Sequence, residues 1–256
     1  MTDLLSGTVF GTDSAICLLV LLVTGHVFGD FVFQTRRMVA GKDRPSVLLQ
    51  HGAVVTVVHL AAVTPYLSGP LLLTVVAVGG LHTVIDGVKS RFGGQSGREL
   101  VLFTADQAFH LAVILGGWIG LLLTAGVPDT PFASDVQRSL VMKTAIVASG
   151  FAFVANGGSG IVEGVLEPLR KQLDPGENAT GLEGSGRKIG MLERVLALVL
   201  ILLDQWAAMV LLVAVKSIAR FEELKVRRFA EYYLVGTLSS LIVAVATGLL
   251  MRTLVF

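Results

Sequence analysis

The sequence predicts an all-α, polytopic transmembrane helix bundle of about seven spans, with a re-entrant or broken helix near residues 157–172. Hydrophobic residues make up 53% of the 256 residues and charged residues only 15%. A soluble domain carries about 25% charged residues, so this composition is typical of an integral membrane protein. Apolar runs of about 20 residues, the length at which a helix crosses a bilayer, recur along the chain.

Seven spans are predicted from these runs. They are Ser14–Thr35, Ser46–Tyr66, Pro70–Ser90, Leu100–Leu123, Ser139–Asn156, Leu192–Val215 and Phe229–Met251. No Lys or Arg precedes the first run and no small-residue cleavage site follows it, so we expect this run to remain as a span. The single cysteine, Cys17, lies in this run and is expected to pack in the core.

The helix is predicted to break after the fifth span, at the glycine-rich segment Asn156–Gly160. A short amphipathic helix (IVEGVLEPLRKQL) and a polar loop (DPGENATGLEGSG) follow. These features predict three parts: a four-span half rich in His and Asp (residues 1–126), a middle part with a span, the break, the amphipathic helix and the loop (127–191), and a two-span C-terminal half (192–256).

Basic residues in short loops predict the orientation, because positively charged loops stay in the cytoplasm. The first and third loops are basic through Arg36, Arg37, Lys42, Arg44, Lys89, Arg91 and Arg98. Both loops are therefore predicted inside and the N-terminus outside, in the inner membrane of a bacterium. Alternation of seven spans would place the basic residues Arg220, Lys225, Arg227 and Arg228 outside. A re-entrant fifth segment would remove this conflict.

Three histidines lie four residues from an aspartate, as His26/Asp30, His82/Asp86 and Asp106/His110. This spacing puts both side chains of a pair on one helix face. An aspartate at the centre of a span costs about 2.5–3.5 kcal/mol, so three such pairs need a common explanation. With a rise of about 1.5 Å per residue, the pairs and His51 all lie within roughly 15 Å of the cytoplasmic interface. Four helices are thus predicted to share one polar pocket.

Imidazole and carboxylate groups are ligands for zinc, manganese or non-haem iron, and zinc is the first choice here. The predicted metal ligands are His26, Asp30, His82, Asp86 and His110. His51 and Asp106 are the predicted catalytic bases, although spacing leaves open which aspartate is spared from coordination. The predicted substrate-binding residues are Gln34, Lys42, Lys89 and Gln107. In the alternative interpretation the pairs are hydrogen-bonded packing contacts and the lysines extend to lipid headgroups. His59 has no carboxylate partner in its turn and is expected to be a buried structural histidine.

The C-terminal half contains its own charged residues within or beside apolar runs: Glu193, Arg194, Asp204, Lys216, Arg220 and Glu231. Unpaired charges would be too costly there, so we expect an ion-paired network with a structural or lipid-contacting role.

Several ordered strings resemble a bacterial membrane family. They are GHVFGDFVFQT, LLQHG, HTVIDGVKS, DQAFH, GMLERVL, AVKSIARF and EYYLVGTLSS, and together they resemble the integral membrane family known as domain of unknown function 3307. The resemblance implies no activity. More loosely, the chain is similar to membrane-bound metal-dependent hydrolases and intramembrane ceramidase-type amidases. The chain has neither the HExxH nor the HxxxH motif, so its similarity to these enzymes extends only to the types of metal ligand.

The leading functional hypothesis is a metal-dependent hydrolase that acts on a lipid or another amphipathic substrate at the cytoplasmic leaflet. One alternative is a transporter or channel with the same residues as a cation or proton path, and another is a non-catalytic partner or lipid-binding subunit. The outer halves of the first and third spans are almost wholly apolar, which favours a one-sided pocket. Membrane lipid and further copies of the chain are the expected partners. With a net charge of +1 and no basic face, no nucleic acid is expected.

Overall fold

The structure, a computed structural model, describes residues 13–92, 97–126, 132–171 and 185–255. Every regular element in these residues is helical, which confirms the predicted fold class. The α-helices are α1 (Asp13–Phe31), α2 (Arg36–Ala40), α3 (Pro45–Ala62), α4 (Gly69–Phe92), α5 (Glu99–Ala125), α6 (Asp135–Ala152), α7 (Gly158–Arg170), α8 (Ser185–Leu202), α9 (Trp206–Ala219) and α10 (Arg227–Val255). Single 3₁₀ turns lie at Thr64–Tyr66 and Glu223–Lys225.

Within the described part of the chain, six helical stretches are long and apolar enough to cross a membrane. They are α1, α3, residues Gly69–Arg91 of α4, α5, the stretch Asp135–Arg170 and α10. This number is close to the predicted seven. The difference lies in the sixth predicted span, which divides into α8 and the shorter apolar helix α9.

The turn between α8 and α9 is formed around Asp204. Its φ is 60°, in the left-handed region that a right-handed helix cannot contain. The Asp204 carboxylate accepts hydrogen bonds from the Trp206 indole at 2.8 Å and from the Arg252 guanidinium at 2.6 Å. These bonds hold the turn, so a hydrophobic run that is continuous in sequence becomes two helices.

The predicted helix break after the fifth span is a π-helical turn, Phe153–Gly157, which joins α6 and α7 into one helix. A π turn shifts the backbone hydrogen-bond pattern and leaves carbonyl groups that need other donors. Arg194 of α8, which is 3% exposed, donates to the carbonyl oxygens of Val154 at 2.8 Å and Ala155 at 3.0 Å. The glycine-rich segment therefore distorts the helix without ending it, and Asp135–Arg170 is one helical stretch. Most of the predicted polar loop, residues 174–184, lies outside the described residues.

The chain forms two compact units, one of Met1–Gly93 with Ala105–Ser149 and one of Gly94–Thr104 with Gly150–Phe256. The first unit has an apolar core that uses the first half of α1, the first half of α4 and the second half of α5. Its buried residues include Cys17, Leu18, Leu22, Leu71, Val75, Ile114 and Leu122. In the second unit α8 and α10 pack through Ala197, Ile201 and Ala244. The predicted three-part division stays a prediction.

Two glycine–threonine pairs bring α3 and α4 into close contact. A Cβ atom at Gly52 would overlap the Thr83 hydroxyl, and one at Gly79 would overlap the Thr56 hydroxyl. Each threonine hydroxyl donates to a carbonyl one turn earlier, Thr56 to Gly52 and Thr83 to Gly79, both at 2.8 Å. Small residues let membrane helices approach at backbone distance, so these pairs fix the register of α3 on α4.

Alanine substitutions at two neighbouring glycines of α4, Gly79 and Gly80, test this packing. We expect Gly79→Ala to lower the free energy of unfolding in detergent by about 1–3 kcal/mol, the usual cost of overpacking. Gly80→Ala is the matched control, since a Cβ atom added at Gly80 would have nothing within 4 Å. It should be neutral or stabilising because alanine is the better helix former. Equal effects of the two substitutions in denaturant titrations would contradict the close contact.

Candidate metal centre

Seven ionisable side chains of the first unit come together from four helices. They are His26 and Asp30 of α1, His51 of α3, His82 and Asp86 of α4, and Asp106 and His110 of α5. These seven residues are between 0% and 8% exposed. The helix ends opposite to the apolar core therefore enclose a polar cluster that could hold a metal ion.

His51 and His82 meet because of the glycine–threonine packing, since His51 precedes Gly52 and His82 precedes Thr83. Their Nε2 atoms are 3.3 Å apart. Oδ1 of Asp30 lies 3.2 Å from Nε2 of His51 and 3.1 Å from Nε2 of His82. This group of atoms is termed the first triad.

Asp86 lies beside the first triad. Its Oδ2 is 3.2 Å from Nε2 of His51 and 3.5 Å from Nε2 of His82. Its Oδ1 is 2.7 Å from the Lys42 ammonium. The carboxylate is thus held in place by a lysine while its other oxygen faces the two imidazoles.

The other two histidines face the second oxygen of Asp30. Oδ2 lies 4.0 Å from Nδ1 of His26 and 3.8 Å from Nδ1 of His110. Nε2 of His26 is 3.1 Å from the Gln107 side-chain oxygen, so the imidazole donates there and its Nδ1 keeps a free lone pair. The His110 ring stacks on the His82 ring with centroids 3.9 Å apart.

The predicted substrate-binding residues all touch the cluster. Lys42 pairs with Asp86, and Lys89 pairs with Asp106 at 2.7 Å. The Gln107 amide donates to Oδ2 of Asp106 at 3.1 Å, and the Gln34 amide nitrogen lies 2.8 Å from Nε2 of His51. The lysines therefore neutralise two aspartates, whereas the ion-pair contacts of Asp30 within the described residues are with imidazoles.

His59 lies outside the cluster, as the sequence predicts for a structural histidine. It is 1% exposed, and its Nδ1 donates to the Val55 carbonyl at 2.9 Å. A Cβ atom at Gly25 would come within 2.9 Å of the His59 backbone. In the described contacts, His59 packs α3 against α1.

The sequence did not predict that Asp30 lies between the two pairs of histidines in the cluster. The predicted i,i+4 pairs are the looser contacts, at 4.0 Å for His26/Asp30, 3.5 Å for His82/Asp86 and 3.9 Å for Asp106/His110. The contacts from Asp30 to α3 and α4 are closer, at 3.1–3.2 Å. Spacing along one helix could not reveal contacts that depend on how neighbouring helices are rotated.

The predicted C-terminal network is resolved into separate interactions. The ion pairs are Lys216–Glu193 at 2.6 Å, Arg220–Glu223 at 3.1 Å, Arg227–Glu231 at 3.0 Å and Arg252–Asp204 at 2.6 Å. Within the described residues, no ion pair joins Arg194 to the other predicted members. It faces the π turn and also donates to the Ser159 hydroxyl at 2.5 Å. Consecutive residues of a helix point about 100° apart, so Glu193 and Arg194 reach different neighbours.

The described part of the chain is thus all-helical, with six helices that could span a membrane and a buried His/Asp cluster that could hold a metal ion. Residues 18–126 match the family described as "Protein of unknown function (DUF3307)", which confirms the predicted family over that stretch. The matched stretch runs from within α1 to the end of α5 and contains all seven cluster residues. No curated protein and no solved structure matches the chain. The looser resemblance to membrane-bound hydrolases stays a prediction.

Proposed function

We propose that the protein is a metal-dependent hydrolase of the bacterial inner membrane that acts on a lipid or another amphipathic substrate at the cytoplasmic leaflet. The main support for this proposal is the spacing of the first triad. Its three ligand atoms, Oδ1 of Asp30 and Nε2 of His51 and His82, lie 3.1–3.3 Å from one another. Zinc binds nitrogen and oxygen ligands at about 2.0–2.1 Å, so two ligands of a tetrahedral ion lie about 3.3 Å apart. The triad has the spacing of one face of such a tetrahedron.

The three triad residues leave the fourth position of a tetrahedral ion for water, as catalytic zinc sites require. A divalent ion held there would lower the pKa of that water and make it a nucleophile. Zinc is the proposed ion, with manganese or iron as alternatives, because the ligand set combines imidazole with carboxylate.

Asp86 is the group best placed to accept the proton of the water. Its Oδ2 faces both triad imidazoles, and Lys42 fixes its Oδ1. The sequence assigned the base to His51 or Asp106, whereas these contacts favour His51 as a ligand and Asp86 as the base. Water adds to the ester, amide or phosphoester centre, the bond to the leaving group breaks, and the proton on Asp86 passes to the leaving group.

The surroundings of the site favour an amphipathic substrate. Lys42 and Lys89 connect the cluster to the two basic loops, which the positive-inside rule assigns to the cytoplasm. On the first of these loops and the adjoining end of α1, the apolar side chains of Val32, Phe33 and Val39 are exposed. Exposed apolar and basic side chains together are typical of a surface at the membrane interface.

The apolar core favours a hydrolase over a transport path. An ion or proton path needs polar groups that continue towards both faces of the membrane. In the described part of the first unit, the opposite halves of α1, α4 and α5 instead contribute buried apolar residues such as Leu18, Leu71 and Ile114. The described polar groups of the cluster are therefore confined to one end of the helices.

Metal analysis combined with hydrolysis assays tests the proposal. We expect the detergent-purified protein to contain at least one equivalent of zinc, manganese or iron by inductively coupled plasma mass spectrometry. It should hydrolyse some members of a panel of ester, amide and phosphoester lipids, lose this activity with 1,10-phenanthroline and regain it with added metal. A metal-free protein with undiminished activity would contradict the proposal. Bound metal without turnover of any panel member would favour a lipid-binding subunit.

A further inference from the structure

We infer that the centre is dinuclear, with Asp30 as a bridging carboxylate between the first triad and a second metal subsite formed by His26, His110 and Oδ2 of Asp30. This inference rests on the proposed metal-dependent function and adds the number of ions and the ligands of the second.

The two oxygens of Asp30 face different pairs of histidines. Oδ1 lies 3.1–3.2 Å from Nε2 of His82 and His51. Oδ2 lies 3.8–4.0 Å from Nδ1 of His110 and His26. A carboxylate that offers one oxygen to each ion suits two-metal sites, in which the ions lie about 3.5–4 Å apart.

The two subsites repeat the same chemistry. Each has two imidazoles, one oxygen of Asp30 and a further aspartate that a lysine holds at 2.7 Å. In the first subsite that aspartate is Asp86 with Lys42. In the second it is Asp106 with Lys89, and Oδ2 of Asp106 lies 3.9 Å from Nδ1 of His110. One ion held by the first triad uses three of the seven ionisable groups, whereas two ions that share Asp30 use five and leave Asp86 and Asp106 beside them.

Unused lone pairs at the second subsite support a second ion. Within the described residues, Nδ1 of His26, both ring nitrogens of His110 and Oδ1 of Asp106 have no hydrogen-bond partner. Buried polar atoms without a partner are uncommon, and each needs a physical explanation. A metal ion would satisfy the lone pairs of both imidazoles, while the hydrogen bond from His26 to Gln107 already selects the tautomer that coordination requires.

The second subsite is wider than the first. Its separations of 3.8–4.0 Å exceed the 3.1–3.3 Å of the first triad. We therefore expect the second ion to bind more weakly and to be the first that a chelator removes. Two divalent ions also give the centre a net positive charge, which favours an anionic substrate.

Metal stoichiometry tests this inference apart from the proposed function. The protein in detergent is loaded with zinc and analysed beside His110→Ala and the control His59→Gln, which changes a histidine outside the cluster. We expect two equivalents in the wild type and in His59→Gln, and one in His110→Ala. No bound metal in the wild type would overturn the proposed function as well. One equivalent in both the wild type and His110→Ala would overturn the dinuclear centre and leave the proposed function standing. Two equivalents in both would overturn the second subsite as formed by His110.

A second measurement needs no variant and so does not depend on variant folding. Loaded with Mn²⁺, the wild type should give the electron paramagnetic resonance spectrum of an exchange-coupled pair. Withdrawal of about half the manganese by a chelator should convert it into the six-line spectrum of an isolated ion. An isolated-ion spectrum at full loading would overturn the bridge through Asp30.

Discussion

Replacing His82 with alanine is expected to remove the metal of the first triad and to abolish hydrolysis. Nε2 of His82 contacts Nε2 of His51 at 3.3 Å, Oδ1 of Asp30 at 3.1 Å and Oδ2 of Asp86 at 3.5 Å. Its loss leaves two ligands at that face. Loss of an outer-shell partner alone weakens metal binding by about 10–100-fold, so loss of a ligand should cost more. Competition with a fluorescent chelator measures the affinity directly.

The control for this substitution is His59→Gln, because His59 lies on α3 with the cluster residue His51 but its described side-chain hydrogen bond is to the Val55 carbonyl. Circular dichroism and size-exclusion chromatography should show that His82→Ala keeps its helical content and remains monodisperse. A folded His82→Ala protein that retained both metal and activity would contradict the proposed site.

Replacing Asp86 with asparagine is expected to separate metal binding from catalysis. Asparagine keeps the shape of the side chain but is not basic, and the first triad remains intact. Loss of a general base costs about 10²–10⁴-fold in rate, so we expect a fall in kcat of that size with metal content unchanged. Measuring kcat against pH should also show that the variant loses the rise in rate that accompanies deprotonation of the base.

Asp106→Asn is the matched control, since Asp106 has an equivalent lysine partner at 2.7 Å in Lys89. Spacing along the chain does not distinguish Asp106 from Asp86 as the base. A larger loss of kcat in Asp106→Asn than in Asp86→Asn, at equal metal content, would assign the base to Asp106.

The sequence by itself determined the class of the protein and the membership of the cluster. Long apolar runs can bury their backbone polar groups in lipid only as helices, so the all-α class follows from composition and run length. Aspartates and histidines are costly in such runs unless they meet one another, and helix rise alone places His26, His51 and Asp106 at similar depth. The seven cluster residues could therefore be chosen before their contacts were known.

Only the tertiary structure decided which of these groups touch. Spacing along a helix fixes the face of a side chain but not the rotation of one helix against the next. That rotation depends on close contacts such as Gly52 with Thr83, which set His51 against His82 and place Asp30 between two histidine pairs. The break at Asp204 was equally hidden, because a hydrogen bond from the distant residue Arg252 stabilises it. The glycine-rich segment indicated where the helix after the fifth span is distorted, but not that Arg194 would stabilise it as a π turn.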